Sequence, residues 1–249
     1  MAKARFQVDT RLAKLLSENY RSSERALKEL VDNAWDADAS VVKIQLPEPM
    51  TDQSIIVLDD GTGMTEEEVK REYLLIARDR RERRGSTTSQ NNRKVKGRKG
   101  IGKFAGLMVA NAMHLETWAR GRRSEFTLTS SDYEAAKDIE ALPILLRTEE
   151  NRELEHGTRV SLSSLNQSLA FPNPDKLRQL LLEEYGREEH FLIEVNGKPL
   201  GVDDIDGAYT EHSSTLPIVG LVNLRFTITS QKRTLRQPGI SMALPDFLE

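Results

Sequence analysis

Cysteine is absent from this 249-residue sequence. The chain therefore has no disulfide, no thiolate metal ligand and no cysteine nucleophile, and this absence agrees with a cytoplasmic location. Long hydrophobic runs are absent as well. No stretch approaches the about 18 consecutive apolar residues that a membrane-spanning helix needs, so we expect no membrane association. The N-terminal residues MAKARFQVDT lack the apolar core and the small-residue cleavage site of a signal peptide.

A strong net charge is also missing, because the formal value is −3, with 38% hydrophobic and 30% charged residues. This composition is typical of a soluble globular protein, and the length fits one large domain or one domain plus part of a second. The basic residues are nevertheless concentrated, since residues 78–103 hold eleven lysines and arginines against two acids. Such a run forms a solvated loop or a loop that closes over phosphates or nucleic acid, and its charge alone leaves both open.

Helix and strand patterns alternate along the chain. They predict helices over residues 23–38, 66–77, 104–113 and 174–186. They also predict strands near residues 41–46, 54–58, 114–119, 125–128, 158–162, 191–195 and 218–229. We therefore expect an α/β (α+β) two-layer sandwich over residues 1–210, followed over residues 211–249 by the start of a second, incomplete β-containing domain.

Two polar segments could carry chemistry. Glu29, Asn33 and Asp36 are spaced i, i+4 and i+7, so they share one helix face. A carboxylate can accept a proton from water and an amide oxygen can bind Mg²⁺, although a solvated polar face has the same pattern. Asp59 follows an apolar strand and precedes Gly61 and Gly63. These glycines allow the backbone to approach a flat ligand, or they form an ordinary turn.

A third, glycine-rich segment, GRKGIGKFAG at residues 97–106, precedes a predicted helix. Backbone amides at a helix N-terminus suit a triphosphate. The segment also matches a P-loop as far as Phe104, where a serine or threonine should contact magnesium, and Gly100, Gly102 and Ala105 match a dinucleotide-binding fingerprint. Both of those motifs require a buried strand directly before the glycines. A polar, arginine-rich stretch stands there instead, which argues against both.

Four segments, taken in order, resemble the motifs of the GHKL superfamily, which includes the ATP-binding gyrase proteins, HtpG-type chaperones, histidine kinases and MutL. ELVDNAWDA resembles the N-box, DDGTGMT the D-x-G-x-G motif, GRKGIGKFAG the third motif and HGTRVSL the late Gly-Thr strand. The resemblance covers residues 22–165. It implies the Bergerat fold, a mixed β-sheet with helices on one face, and it implies ATP and Mg²⁺ as ligands.

The resemblance implies a role for each matching residue. Glu29 corresponds to the general base that activates water, and Asn33 to the magnesium ligand. Asp59 corresponds to the carboxylate that accepts a hydrogen bond from the adenine amino group, and Thr158 lies beside it. Asp36 corresponds to a residue that supports the nucleoside side of the pocket. The other corresponding residues would line the base pocket or offer backbone amides to the phosphates: Gly61, Gly63, Met64, Gly97, Gly100, Ile101, Gly102, Lys103 and Phe104.

The branch of the superfamily can be narrowed. Glu29 and the lack of an upstream phosphoacceptor histidine argue against the histidine kinases, and the first helix is most similar to those of prokaryotic Hsp-like and MORC-like ATPases. The basic residues 78–99 fall where the family has its mobile ATP lid. Lys232 is a candidate for the γ-phosphate contact that a following, transducer-like domain supplies.

The implied function is ATP binding with slow hydrolysis, and we expect the ATPase activity of this fragment to be weak. Hydrolysis would drive lid closure and formation of a homodimer, and it would be coupled to an absent C-terminal effector with DNA or a protein client as partner. A nucleotide-sensing module with negligible turnover is the alternative, and the residues themselves leave both open.

Overall fold

The computed structural model describes residues 2–5, 7–8, 22–76, 86–97, 102, 105–135, 143–150, 155–186, 188, 190–205, 207–217 and 220–228. Its helices are α1 (Ser23–Asp36), α2 (Glu66–Glu68), α3 (Gly106–Val109), α4 (Ser130–Ala135) and α5 (Pro174–Tyr185), with a π-helical turn at Val69–Tyr73 and a 3₁₀ turn at Val202–Asp204. Its strands are β1 (Ala2–Arg5), β2 (Gln7–Val8), β3 (Val41–Gln45), β4 (Ile55–Asp59), β5 (Leu75–Ile76), β6 (Ala110–Ala119), β7 (Arg122–Thr129), β8 (Pro143–Glu150), β9 (Gly157–Leu165), β10 (Leu192–Val195), β11 (Lys198–Pro199), β12 (Ala208–Leu216) and β13 (Gly220–Ile228).

One mixed sheet organises the described part of the chain. Its nine strands run in the order β1-β8-β7-β6-β9-β4-β3-β10-β11. The β10–β3 pair is parallel, whereas β3–β4, β4–β9 and β9–β6 are antiparallel. Strand side chains alternate between two faces, and the inward ones join α1, α3 and α5 in one apolar core. The predicted two-layer sandwich with helices on one face of a mixed sheet is therefore confirmed.

Helix α1 positions most of the polar residues discussed below. Ser22 caps its N-terminus, accepting from the Arg25 backbone amide at 3.3 Å. The predicted apolar stripe is buried in the core against the sheet, and this contact fixes the rotation of the helix about its axis. Its members are Ala26, Leu27, Leu30, Val31 and Ala34.

Two sequence predictions about helices are wrong. The helix expected over residues 66–77 is α2 and one π-helical turn, after which Leu75–Ile76 pairs with β2 as a strand. The helix expected over residues 104–113 ends at Val109. Ala110 has extended dihedrals of −143° and 151°, and it begins β6. An apolar run of this length fits either a buried helix or a buried strand, so periodicity alone did not separate them.

The far face of the sheet, away from the helices, carries a network of ion pairs. Glu116 accepts from Arg123 at 2.5 Å and from Arg159 at 3.4 Å, and Arg123 also contacts Glu125 at 2.6 Å. His114 Nε2 lies 3.8 Å from Glu125, so these side chains resemble a metal-ligand cluster. Because arginines already neutralise the two carboxylates, we interpret the cluster as a cross-strand ion-pair network.

A separate two-stranded hairpin, β12–β13, follows the 3₁₀ turn. The sequence missed β12, and the expected boundary between residues 210 and 211 lies inside this strand. The division of the chain into two domains at that point stays a prediction. Within the described residues, no helix has the length and apolar character needed to cross a lipid bilayer.

Candidate nucleotide-binding site

The polar face of α1 forms one side of the candidate site. Glu29 and Asn33 are half-buried, whereas Asp36 is buried with 4% exposure. One helical turn separates Glu29 from Asn33, so the structure keeps the predicted spacing. Within the described residues, no hydrogen bond holds the side-chain amide of Asn33. A half-buried amide without a protein partner is suited to contact a ligand or ion.

The third motif approaches the same helix face. A Cβ atom at Gly102 would overlap the Oε2 atom of Glu29, so only glycine fits there with Glu29 in its present position. This contact places a backbone segment of the predicted phosphate-binding motif directly beside the predicted general base. The other residues predicted for this motif lie outside the described residues, as does the candidate lysine of the following domain: Gly100, Ile101, Lys103, Phe104 and Lys232.

Asp36 holds the chain that leads into that motif. Its carboxylate oxygens accept from the backbone amides of Lys96 at 2.8 Å and Gly97 at 2.9 Å. A Cβ atom at Gly97 would lie 2.8 Å from Asp36 Oδ2, so the contact depends on glycine. The structure therefore brings Asp36 and Gly97 into contact. A role of Asp36 toward the nucleoside remains a prediction.

Asp59 lies at the carboxyl end of β4, opposite Thr158 of β9. Its carboxylate accepts from the Gly61 backbone amide at 2.9 Å and from the backbone amide of Thr158. Part of its surface is accessible, but the surrounding protein removes water from the carboxyl, and this burial raises the pKa of Asp59 to about 7. An ionised carboxylate has about four acceptor sites, so Asp59 can accept a further hydrogen bond from a ligand.

The first and second motifs are joined through the backbone. Thr62 donates its amide to the Ala37 carbonyl at 2.8 Å, directly after α1. A Cβ atom at Gly61 would lie 2.8 Å from the Ala37 Cβ atom and 2.9 Å from Asp59 Oδ1. A larger residue than glycine would therefore separate the end of β4 from the end of α1. The close approach explains the first glycine of the D-x-G-x-G motif.

The second glycine of that motif fits against β6. Gly63 has a φ of +61°, and a Cβ atom there would overlap the Trp118 backbone carbonyl. The next residue, Met64, donates its amide to Thr117 Oγ1 at 2.9 Å. Thr117 in turn donates to the Gly157 carbonyl at 3.0 Å, so one hydroxyl connects the second motif to the late Gly-Thr strand.

Sequence reasoning missed three residues that shape this region. Thr117 is fully buried, and nothing in its sequence context marks it. Asp60 accepts from the Ser40 and Val41 amides at 2.7 and 2.8 Å, which ties the loop after α1 to the end of β4. His156 Nδ1 lies 2.8 Å from the Asp60 and Gly61 carbonyls, which only accept hydrogen bonds, so this nitrogen carries the hydrogen. His156 thus ties the second motif to the strand β9 that follows it.

The combined geometry fits a nucleotide and a divalent cation. Asp59 offers a carboxylate beside closely packed glycines, which suits the flat, hydrogen-bonding edge of a base. Glu29 lies against the backbone at Gly102, about two helical turns from Asp36. Asn33 lies between them and offers a hard oxygen ligand of the kind that Mg²⁺ prefers.

Comparison with known proteins decides the family. Residues 20–158, more than half of the chain, match the family model described as "Histidine kinase-, DNA gyrase B-, and HSP90-like ATPase". The chain belongs to this ATPase family. The resemblance to the GHKL superfamily is thereby confirmed, and the domain described here is an ATP-binding ATPase domain.

Individual relatives differ in what they are said to do. The chain is 30% identical over 198 residues to a putative type II restriction enzyme, HgiDII, of Herpetosiphon aurantiacus, with 77% of this chain and 31% of that protein covered. It is 28% identical over 180 residues to the chaperone protein HtpG of Mycolicibacterium gilvum, with 63% of this chain and 27% of that protein covered. The chain thus spans about three tenths of the length of these curated relatives.

Among solved structures, the chain is similar to the ATPase region of Saccharomyces cerevisiae topoisomerase II bound to ICRF-187 (dexrazoxane), with 15% identity and a TM-score of 0.49. The alignment covers 72% of this chain and 49% of the topoisomerase chain.

Proposed function

We propose that this ATPase domain binds ATP with Mg²⁺ and hydrolyses it slowly as a conformational switch. The observation that carries the proposal is the convergence of three distant segments on one helix. Gly102 contacts Glu29, Gly97 contacts Asp36, and Gly61 lies against Ala37 at the end of α1. The predicted base-binding, phosphate-binding and catalytic residues therefore border one continuous region.

Glu29 acts as the general base in this proposal. Its carboxylate accepts the proton of the attacking water, and the adjacent Gly102 restricts where the side chain can lie. Asn33 would hold Mg²⁺, which offsets negative charge on the phosphate oxygens when it is bound. Because both side chains project from α1, their spacing is fixed by the helix and not by a loop.

Asp59 recognises the base. Its ionised carboxylate accepts a hydrogen bond from the exocyclic amino group of adenine, while Thr158 adds its hydroxyl beside it. Gly61, Gly63 and Met64 form the adjoining wall. A purine that presents a carbonyl in place of the amino group would set an acceptor against an acceptor, so this pair selects adenine over guanine.

The switch acts through parts beyond this domain. The relatives above are about three times as long as the matched region, so they have ample chain for an effector. ATP would close the basic lid over the phosphates and favour a homodimer, and hydrolysis would reverse both. Lys232 stays the candidate for the contact from the following domain. In this scheme most of the ATPase activity requires the full-length protein.

A nucleotide sensor with negligible turnover is the second candidate. It would use the same pocket, bind ATP and ADP differently, and pass the bound state to its effector without steady hydrolysis. The position of Glu29 beside Gly102 favours hydrolysis, because a sensor has no need of a carboxylate held next to the phosphate-binding backbone.

The effector class is tested by stimulation. The relative with 30% identity is described as a restriction enzyme, which favours DNA as partner over an unfolded protein client. The experiment measures ATP turnover of the full-length protein alone, with duplex DNA, and with an unfolded protein. DNA-dependent stimulation supports the favoured partner, and stimulation by unfolded protein alone replaces it with a chaperone-like client. Binding of ATP without turnover under all three conditions supports the sensor, and a failure to bind ATP overturns the proposal.

A further inference from the structure

The C-terminal end of α1 holds residues 86–97, part of the basic segment, through three separate side chains. Each side chain forms a hydrogen bond with a different part of this stretch: Asp38 with the first part, Trp35 with the middle and Asp36 with the end. We call Trp35, Asp36 and Asp38 the dock, and residues 86–97 the docked segment. The sequence predicted this stretch as part of a basic loop, at the place where the family has its mobile ATP lid, and gave no sign of these contacts.

Asp38 is the most constrained residue of the dock. It is 7% exposed and has a φ of +60°, a conformation that few residues other than glycine, asparagine and aspartate adopt readily. Its carboxylate accepts from the Thr88 hydroxyl and from the backbone amides of Gln90 at 2.9 Å and Asn91 at 3.1 Å. Burial alone would raise the pKa of Asp38, but these hydrogen bonds outweigh it and lower the pKa.

Trp35 fixes the middle of the docked segment. Its indole nitrogen donates to the Lys94 carbonyl at 3.0 Å. The Arg93 guanidinium lies 4.7 Å and the Lys96 ammonium 5.0 Å from the centre of the indole ring. Two cations on one indole add cation–π attraction to the hydrogen bond, and both come from the docked segment.

Other elements reinforce the dock. Arg93 donates to the carbonyls of Ala39 at 2.5 Å and His190 at 2.6 Å, which connects the docked segment to the residues that precede the neighbouring parallel strands β3 and β10. Lys96 lies 3.6 Å from the centre of the Tyr185 ring and 3.4 Å from a Glu184 carboxylate oxygen, both on α5. The docked segment is therefore held by protein contacts from α5 and from the residues before β3 and β10, in addition to the dock.

We propose that Asp38 is a positioning residue that sets where the phosphate-binding motif begins. Asp38 and Trp35 hold residues 88–96 in place, so that the amide of Gly97 meets Asp36. Gly97 contacts Asp36 at one end of the polar face of α1, and Gly102 contacts Glu29 near the other end. About 10 Å of helix separates these two contacts, and five residues of chain reach at most about 17 Å. A fixed position of Gly97 therefore limits where the chain can place Gly102 relative to Glu29.

The effect on nucleotide binding rests on the proposed function, whereas the docking itself does not, so the two are tested separately. Asp38→Asn keeps the size of the side chain and tolerates the positive φ, but its amide group faces donors. Asp38→Gly also permits this backbone conformation and removes the side chain entirely. Asp52→Asn, in the exposed loop between β3 and β4, is the matched control.

Docking is measured by trypsin cleavage after Arg93, Lys94 and Lys96 in the nucleotide-free full-length protein, mapped by mass spectrometry. Loss of hydrogen bonds to a charged group raises the open population about tenfold, and cleavage follows that population when opening is fast. We expect about tenfold faster cleavage at these three sites in Asp38→Asn and Asp38→Gly, and no change in Asp52→Asn. Unchanged cleavage in both Asp38 variants, with melting temperatures near that of the parent, overturns the dock.

Positioning is measured by comparing Mg-ATP with adenosine in calorimetry. We expect the Kd for Mg-ATP to rise about tenfold in Asp38→Asn, with adenosine affinity unchanged because Asp59 is untouched. Thr88→Ala should weaken Mg-ATP binding in the same sense, and Thr88→Ser, which keeps the hydroxyl, should restore it. Equal loss for adenosine and ATP, or no loss for either, overturns the positioning role. Failure of the parent protein to bind ATP overturns the proposed function and leaves the cleavage result as the test of the dock.

Discussion

Gly102 and Glu29 are in such close contact that a Cβ atom on the glycine would overlap a carboxylate oxygen of the glutamate. The two residues are 73 positions apart in the sequence. They belong to the two motifs to which a phosphate-binding and a proton-accepting role are assigned. Glycine is needed here for space as well as for backbone freedom, because the missing side chain leaves room for the Glu29 carboxylate.

Gly102→Ala should therefore impair catalysis more than stability. The flexible end of Glu29 can move aside at small cost, but its carboxylate then no longer lies where water is activated. We expect kcat for ATP to fall about a hundredfold, as for a misplaced catalytic group, while the melting temperature changes little. Gly121→Ala is the control, because its positive φ strains alanine far from the site, and it should lower stability without lowering kcat. An unchanged kcat in Gly102→Ala would refute the role of the contact.

Asp59→Asn should weaken ATP binding strongly. The new amide presents a donor to the donor group of adenine, and such a mismatch costs about 1–3 kcal/mol, or roughly five- to 150-fold in Kd. Calorimetry of the purified protein gives the change directly. Asp60→Asn is the matched control, because Asp60 holds the Ser40 and Val41 amides. It should lower thermal stability with a smaller effect on affinity. Equal ATP affinity of parent and Asp59→Asn would remove Asp59 from the site.

The raised pKa of Asp59 predicts a pH dependence of binding. If the ionised carboxylate of Asp59 accepts from adenine as proposed, ATP affinity should rise as the pH increases from about 6 to 8, through the pKa of about 7. Binding near pH 7 should release a fraction of a proton, which is measured by calorimetry in buffers of different ionisation enthalpy. In Asp59→Asn both the pH dependence and the proton release should disappear. Retention of both in the variant would assign them to another group.

The same shift predicts the stability of the nucleotide-free protein. The folded pKa of Asp59 lies above its ordinary value of 3.8, so between pH 4 and 7 the folded state binds more protons than the unfolded chain. The contribution of Asp59 to the free energy of unfolding therefore falls as the pH rises through this window. The difference in unfolding free energy between the parent and Asp59→Asn, followed from pH 4 to 8, should show this slope. A slope of the opposite sign would contradict a raised pKa.

The hydroxyl of Thr117, in β6, should contribute to the stability of the fold. Thr117→Val keeps the shape but leaves the Met64 amide without its acceptor, at a cost of about 1–3 kcal/mol. Thr117→Ser retains the hydroxyl and should recover most of the loss. Denaturant unfolding measures both variants. Equal stability of the valine variant and the parent would show that this hydroxyl does not hold the second motif to the sheet.

The site motifs could be predicted from sequence because each depends on local chemistry. The i, i+4, i+7 spacing placed Glu29, Asn33 and Asp36 on one face, and the structure retains that face with its buried stripe opposite. Glycines next to Asp59 signalled close approach of the backbone. Asp38, which looked like one more polar residue at a helix end, gave no such signal. Its partners lie about 50 residues along the chain, and their arrangement follows from tertiary contacts.

The strand order and some element boundaries could not be predicted from sequence. Ala110 to Met113 continue an apolar run that periodicity assigns to a helix, but pairing with β9 makes them a strand. The π-helical turn after α2 begins at Val69 and is followed by Leu74, and both side chains are fully buried. Strand β12 is exposed along its length and pairs only with β13 among the described strands, so it lacks the alternating pattern of a strand buried on one face.

Glu29 and Asn33 share a helix face but are assigned different functions. The central claim is that Glu29 serves hydrolysis and Asn33 serves Mg-ATP binding. Asn33→Ala removes the proposed magnesium ligand, so affinity for Mg-ATP and turnover should both fall. Glu29→Ala removes only the proposed proton acceptor, so binding should persist. Glu24→Ala, in the first turn of the same helix, is the matched control and should retain both properties.

The most direct test is single-turnover ATP hydrolysis by full-length Glu29→Ala, with Mg-ATP binding measured on the same preparation. The account predicts a Kd near that of the parent and a rate lower by about a hundred- to ten-thousandfold. Hydrolysis at the parental rate with intact binding would contradict the catalytic role of Glu29.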